Sequence, residues 1–332
     1  MRCLTHLFVL LGLAALLSAC AGRPTALPSP ESLSNLPSST YLDQVPFHAQ
    51  DAYQCGPAAL AMILNHRGLP DTPDELVGRV YIPERKGTLQ VELVSASRER
   101  DLLVYPVARQ LEAVMTELDA GNPVLVMQNL AFNWFPQWHY AVVVGYDLEQ
   151  REMIVHSGLN KAQREPFKVF MRTWDRADRW ARVMLPAHQL PATAEPLVYL
   201  RAASDLEQTG RLDSARQAYA TALSTWPEQP TARFGLGNVA WAQQQPEISV
   251  EHFRTLVTDF PDFKPGWNNL SVALEAIGCA QSAAAAKACA ADDAATEAAT
   301  PEDAALDLDK NAPETGRCAI PRCTDRAPTQ SD

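Results

Sequence analysis

The sequence predicts an α+β domain over residues 41–190 followed by an all-α domain over residues 196–290. Three observations carry this. Between 41 and 190, short β-rich runs mix with segments of helical spacing, the signature of an α+β arrangement. After Pro186, Pro191 and Pro196 the chain becomes wholly helical up to about Ala290. Within that helical stretch, small, aromatic and proline positions recur every 34 residues, an internal repeat.

The amino terminus is set apart from both domains. Met1 and Arg2 lead into the apolar run Leu7–Leu17, which is too short to span a bilayer and reads as a secretory leader over residues 1–19. Leu17-Ser18-Ala19-Cys20 resembles the lipobox of bacterial lipoproteins, which implies cleavage before Cys20 and lipidation of its thiol. Ala21, in place of aspartate, implies by the same resemblance a cell-envelope location at the outer membrane. Residues 20–40, with Pro24, Pro28, Pro30, Pro37 and several serines, are expected to form a flexible tether.

The 332 residues carry 39 acidic and 28 basic side chains, a formal charge of −11. Residues 291–332 alone hold 10 acidic and 4 basic residues, so acidity concentrates in a tail expected to be disordered. Nothing here suits a nucleic-acid partner. No phosphate loop, metal cluster or cofactor motif is present, so no cofactor is expected. Of seven cysteines, Cys3 leaves with the leader and Cys20 is assigned to lipid. Cys279, Cys289, Cys318 and Cys323 lack the histidines and paired spacing of a zinc site. In an oxidising compartment they are expected to form disulfides of unreadable connectivity, which leaves Cys55 free.

In the first domain, Gly56-Pro57 followed by Ala58–Leu64 reads as a buried helix stopped at Gly68. Thr72-Pro73-Asp74-Glu75 is a capping box opening a second helix. Leu111–Leu118 has helical spacing, broken by Gly121-Asn122-Pro123. Three β-like runs follow, at 124–127, 140–144 and 153–155.

Chemistry is expected at the junctions. Cys55 opens the first helix, where unpaired backbone N–H groups and the positive end of the helix dipole favour thiolate over thiol. A thiolate is a nucleophile and needs a histidine partner. His139 lies 84 residues later, at the mouth of the apolar run 140–144.

Gln50-(x4)-Cys55-Gly56-Pro57-Ala58-Ala59-Leu60-Ala61-Met62-Ile63-Leu64 resembles the nucleophile segment of C39-type peptidases, and His139-Tyr140-Ala141-Val142-Val143-Val144-Gly145 resembles that family's histidine strand. With Gly121–Val126, the resemblance covers about residues 43–185 and implies a papain-like cysteine peptidase fold with Cys55 and His139 as the catalytic pair. It also implies a glutamine that donates to the oxyanion, usually six residues before the cysteine. Here position 49 is alanine, Gln50 is five before, and Gln54 is a local competitor. The family's third residue, Asp or Asn near the end of the next strand, has no counterpart. The segment reads Val155-His156-Ser157-Gly158-Leu159-Asn160, so His156, Ser157 or Asn160 is the expected partner of His139, or the pair acts as a dyad.

In the second domain Ala203, Gly237 and Ser271 recur as small residues, as do Ala215, Ser249 and Ala283; Tyr219 matches Phe253, and Pro227 matches Pro261. The period and residue types resemble tetratricopeptide repeats, in three units of which the third is degenerate because Lys287 replaces the aromatic. Such arrays bind extended peptides or proteins. The expectation is a lipid-anchored cysteine peptidase acting on a peptide or protein substrate, with a protein partner on its repeats; the alternative is a catalytically weak papain-like scaffold.

Overall fold

The computed structural model describes residues 27–29, 31–50, 54–291 and 316–323. The expected leader, Cys20 and most of the acidic tail lie outside these residues. The expected tether is shorter than its composition suggests. Leu27, Leu33 and Leu36 pack against the core, and Ser39–Tyr41 forms strand β1.

Helix α1, Cys55–His66, is buried from Gly56 through Leu64 without a polar stripe. A helix apolar on all sides belongs in the interior, and α1 lies between the sheet and helices α2 (Pro73–Val80) and α3 (Gln90–Arg98). It ends at Arg67, and Gly68 follows with φ +81°, the left-handed conformation that suits glycine. Helix α2 starts on the capping box: Glu75 N–H donates to Thr72 Oγ1 at 3.3 Å and Thr72 N–H to Glu75 Oε2 at 2.9 Å. A two-strand hairpin, β2 (Tyr81–Ile82) and β3 (Gly87–Thr88), joins α2 to α3.

The main sheet is antiparallel throughout. Strands β4 (Leu102–Pro106), β5 (Val124–Asn129), β6 (Trp138–Asp147), β7 (Glu152–Ser157), β8 (Asn160–Pro166) and β9 (Ala181–Pro186) lie in the order β4-β9-β5-β6-β7-β8, and β1 pairs with the far end of β6. Alternation along β6 divides the core in two. Tyr140, Val142 and Val144 face α1, whereas Ala141 and Val143 face helices α4 (Leu111–Asp119) and α5 (Phe167–Asp175). The α+β domain thus has helices on both faces of its sheet. The sequence reading singles out β5, β6 and β7 but not β4 and β9, which pair with each other across about 80 residues of chain.

The helical region consists of three pairs: α6 (Pro196–Gln208) with α7 (Leu212–Thr225), α8 (Pro230–Ala242) with α9 (Pro246–Asp259), and α10 (Lys264–Ala276) with α11 (Ala280–Ala291). Every helix begins 34 residues after its counterpart in the preceding pair. The small positions are where ring meets backbone: a Cβ on Gly237 would come within 2.4 Å of the Phe253 ring. The first pair is not separated from the α+β domain. Tyr199, Leu200 and Leu206 share one core with Leu103, Tyr105 and Leu185, and Arg98 pairs with Asp205 across the junction.

Disulfides join Cys279 to Cys318 and Cys289 to Cys323. They hold residues 316–323, part of the segment expected to be disordered, against the last repeat, where Ile320 packs on its core. Cys55 is the free cysteine among the described residues.

Candidate active site

Cys55 occupies the first position of α1, and three backbone N–H groups favour its thiolate: its own, that of Gly56 and that of Tyr140. The first two are the unpaired donors of the helix terminus. The third comes from β6, from the residue directly after His139, so the thiol lies beside the start of the histidine strand. Gly56 is required here by close approach, since a Cβ would meet Thr88 Oγ1 at 2.4 Å and Thr88 Cβ at 2.5 Å. Thr88 is itself pinned from below, where the Tyr140 hydroxyl donates to its carbonyl at 3.2 Å.

His139 is held through one ring nitrogen. Its Nε2 lies 2.8 Å from the Oγ of Ser157, a residue 8% exposed at the end of β7. This leaves Nδ1 as the ring nitrogen not engaged by Ser157. The other two expected partners are engaged elsewhere. Asn160 is exposed and donates to Gln163 Oε1 at 3.1 Å, because the turn at Gly158 carries it past the strand end. His156 points to the opposite face, where Nδ1 accepts from Ala162 N–H at 3.1 Å and Nε2 faces the Val45 carbonyl at 3.2 Å. Both its nitrogens are used, and the ring is fully buried against Phe47.

Gln50 reaches the same corner. Its N–H donates to the Gly158 carbonyl and its Oε1 accepts from Gly158 N–H, both at 3.1 Å. The residue is 7% exposed, and its Nε2 has no hydrogen-bond partner among the described residues. A buried, unpaired amide donor is costly unless something binds it. Gln54, the other candidate, lines a depression with Phe47, His48 and Asp74 on the α2 side.

One group was not foreseen. Gln128 sits directly across from His139 in the β5–β6 register, fully buried, and donates to Glu165 at 3.1 Å and Thr173 at 2.8 Å. Burial raises the Glu165 carboxyl. The only trace of this cluster in the sequence was a polar residue ending the apolar run 124–127.

The electrostatics differ from the expected thiolate. Burial pushes the Cys55 thiol up and outweighs the three N–H groups. Burial likewise pushes His139 down to about 4. Each group therefore rests neutral near pH 7, since partial desolvation penalises the charged form of either. The sign of the resulting pH dependence is definite. Alkylation of Cys55 by iodoacetamide should be slow at pH 6–7 and rise with pH through a midpoint above that of an ordinary thiol. A rate constant that stays level from about pH 4 to 8 would instead reveal a resting thiolate–imidazolium pair, contrary to these pKa directions.

A helix-borne cysteine beside a strand-borne histidine, on an antiparallel sheet covered by helices, defines the first domain as a C39-like peptidase fold, and the paired helices form a tetratricopeptide array. Comparison with known families agrees: residues 42–181 match the Peptidase_C39 like family and residues 200–262 match a tetratricopeptide repeat. A crystal structure described as a C39-like peptidase from Bacillus anthracis aligns with 45% of this chain and 98% of its own, at 18% identity and a TM-score of 0.37. No curated protein matches the chain.

Proposed function

We propose that the protein is a lipid-anchored cysteine peptidase of C39-like type whose repeats bind a protein or peptide partner. The observation that carries this reading is the meeting of the Cys55 thiol with the Tyr140 N–H, one residue from a histidine whose Nε2 is held by Ser157. His139, neutral down to about pH 4, is in the form a general base requires throughout the physiological range. As a substrate carbonyl approaches, the thiol proton passes to His139 Nδ1 and sulfur bonds to the carbonyl carbon. Gln50 Nε2 and the Cys55 N–H then donate to the oxyanion. The imidazolium gives its proton to the leaving amine, which departs as the thioester forms. Water loses a proton to His139 and attacks the thioester, releasing the acid and restoring the thiol.

Ser157 acts as a positioning residue. A hydroxyl orients the ring but, lacking a negative charge, stabilises the imidazolium less than a carboxylate would. That is the observation behind the second reading, a catalytically weak domain that serves as a scaffold for envelope proteins. Lipidation at Cys20 and attachment at the outer membrane are part of the proposal and rest on the Leu17–Cys20 box.

Peptidyl vinyl sulfones of varied sequence separate the two readings, because they need a base-activated nucleophile next to a peptide cleft. The expected result is a covalent adduct on Cys55 that forms in the folded protein and not after denaturation. Iodoacetamide labelling of Cys55 with no vinyl sulfone adduct from any member of the set would favour the scaffold.

A further inference from the structure

The loop between β5 and β6 ends two residues before His139, and together with the first residue of β6 it presents Leu130, Phe132, Trp134, Phe135 and Trp138 to solvent, with Trp134 82% exposed. Buried-type side chains gathered on one protruding tip mark an interaction site. The tip is built rather than loose. Asn129 Oδ1 accepts from Ala131 N–H at 3.1 Å and Gln137 N–H at 3.0 Å, and the Phe132 and Trp134 rings stack at 5.6 Å. From Asn129 through Trp138 there is no charged residue.

The amino-terminal segment bears on what covers it. Ser32 Oγ donates to Glu112 Oε1 at 2.8 Å at the start of α4. One turn earlier, Arg109 meets Asp178 at 2.7 Å and its carbonyl accepts from Arg179 at 2.8 Å. Arg176, in the same turn, donates to the Asn129 carbonyl at 2.8 and 3.1 Å, at the root of the aromatic loop. The segment then runs away from this end, past Thr40 and Asp119, to pair β1 with Asp147 at the opposite end of β6. The described segment around Ser32 therefore lies toward the end of the body that carries the loop and the Cys55–His139 corner. Cys20 stands seven positions before Leu27, a reach of at most about 25 Å fully extended.

The geometry points to a lipid bilayer as the occupant: the turn formed by Phe132, Trp134 and Phe135, Trp134 foremost, inserts into the headgroup layer of the membrane to which Cys20 is attached, and so faces the active-site corner toward the lipid surface. Convex, uncharged and rich in Trp and Phe, the tip has the chemistry of an interfacial anchor, which places aromatic rings at the headgroup level. Because the loop carries no charge, the contact should not require anionic lipid. It rests on the lipid-anchor reading for its local lipid concentration, and it implies a substrate presented close to the membrane.

The test uses the acylated mature protein in phosphatidylcholine vesicles containing brominated lipid, which quenches only tryptophan at bilayer depth. Flotation reports the anchor separately from the loop. The expected result is that the protein floats with the vesicles and part of its tryptophan emission is quenched, and that Trp134→Phe removes most of the quenchable part while flotation is unchanged. Cys20→Ala should abolish flotation at the lipid concentration at which the acylated protein floats, yet show Trp134 quenching at much higher lipid, weakened together by Phe132→Ser and Phe135→Ser. Floating protein with no quenching overturns the proposal while leaving the anchor intact. So does a loop whose serine substitutions raise KM for peptides with no quenching in either form, since the tip would then hold substrate.

Discussion

Replacing Cys55 by alanine should abolish peptide hydrolysis, a loss of roughly 10⁵- to 10⁶-fold in kcat, because members of a nucleophile–base pair act as one unit. His139→Ala should cost about as much, and the double variant no more than either alone. The physical reason is that burial disfavours the Cys55 thiolate, so the proposed mechanism needs His139 to take the thiol proton before the sulfur can attack. The fold should survive. Cys55 is in no disulfide, and alanine suits the first turn of α1 as well as cysteine does. Circular dichroism and the melting temperature should stay close to wild type while hydrolysis disappears. Activity retained by Cys55→Ala would move the nucleophile elsewhere and end the peptidase reading of this corner.

The second large effect is expected at Gln50. Gln50→Ala should lower kcat by about 10²- to 10³-fold with little change in KM, the pattern of an interaction made chiefly in the transition state. Its Oε1 and N–H are both tied to Gly158, so the amide is oriented before substrate arrives, and Nε2 is the end left over. Substitution also strips Gly158 N–H of its acceptor, at a cost to stability of about 1 kcal/mol. Steady-state kinetics beside a denaturation curve separate the two effects. If kcat falls only as far as the folded fraction falls, Gln50 is a loop brace and the oxyanion donor is another group.

The parts legible beforehand are those specified by short stretches of chain. The run after Cys55 is apolar at every position, and only a helix enclosed on all sides buries such a run. Thr72 and Glu75 are three residues apart, and their reciprocal bonds involve nothing else. The 34-residue spacing of Gly237 and Ser271, or of Tyr219 and Phe253, declared paired helices because each pair packs on a neighbour of the same design. The placement of Cys55 at a helix start and His139 at a strand start belonged to this class too, since both are local signals.

Other features depended on contacts between segments far apart in sequence. Strands β4 and β9 are ordinary apolar runs until the sheet brings them side by side. The partner of His139 had to be chosen among His156, Ser157 and Asn160, which sit within five positions of one another. Strand alternation turned His156 to the opposite face, and the turn at Gly158 carried Asn160 out to solvent, leaving Ser157 against the ring. Disulfide connectivity likewise awaited the placement of residues 316–323 on the last repeat.

The two-part architecture, the candidate nucleophile, its histidine and the nearby glutamine were readable along the chain, because helix ends, strand periodicity and repeat length are encoded within a few tens of residues. The ionisation of that pair depends instead on packing between distant segments. A helix N-terminus promises a thiolate, but the outcome depends on how much water the surrounding segments exclude, and desolvation of Cys55 and His139 outweighs the local N–H groups.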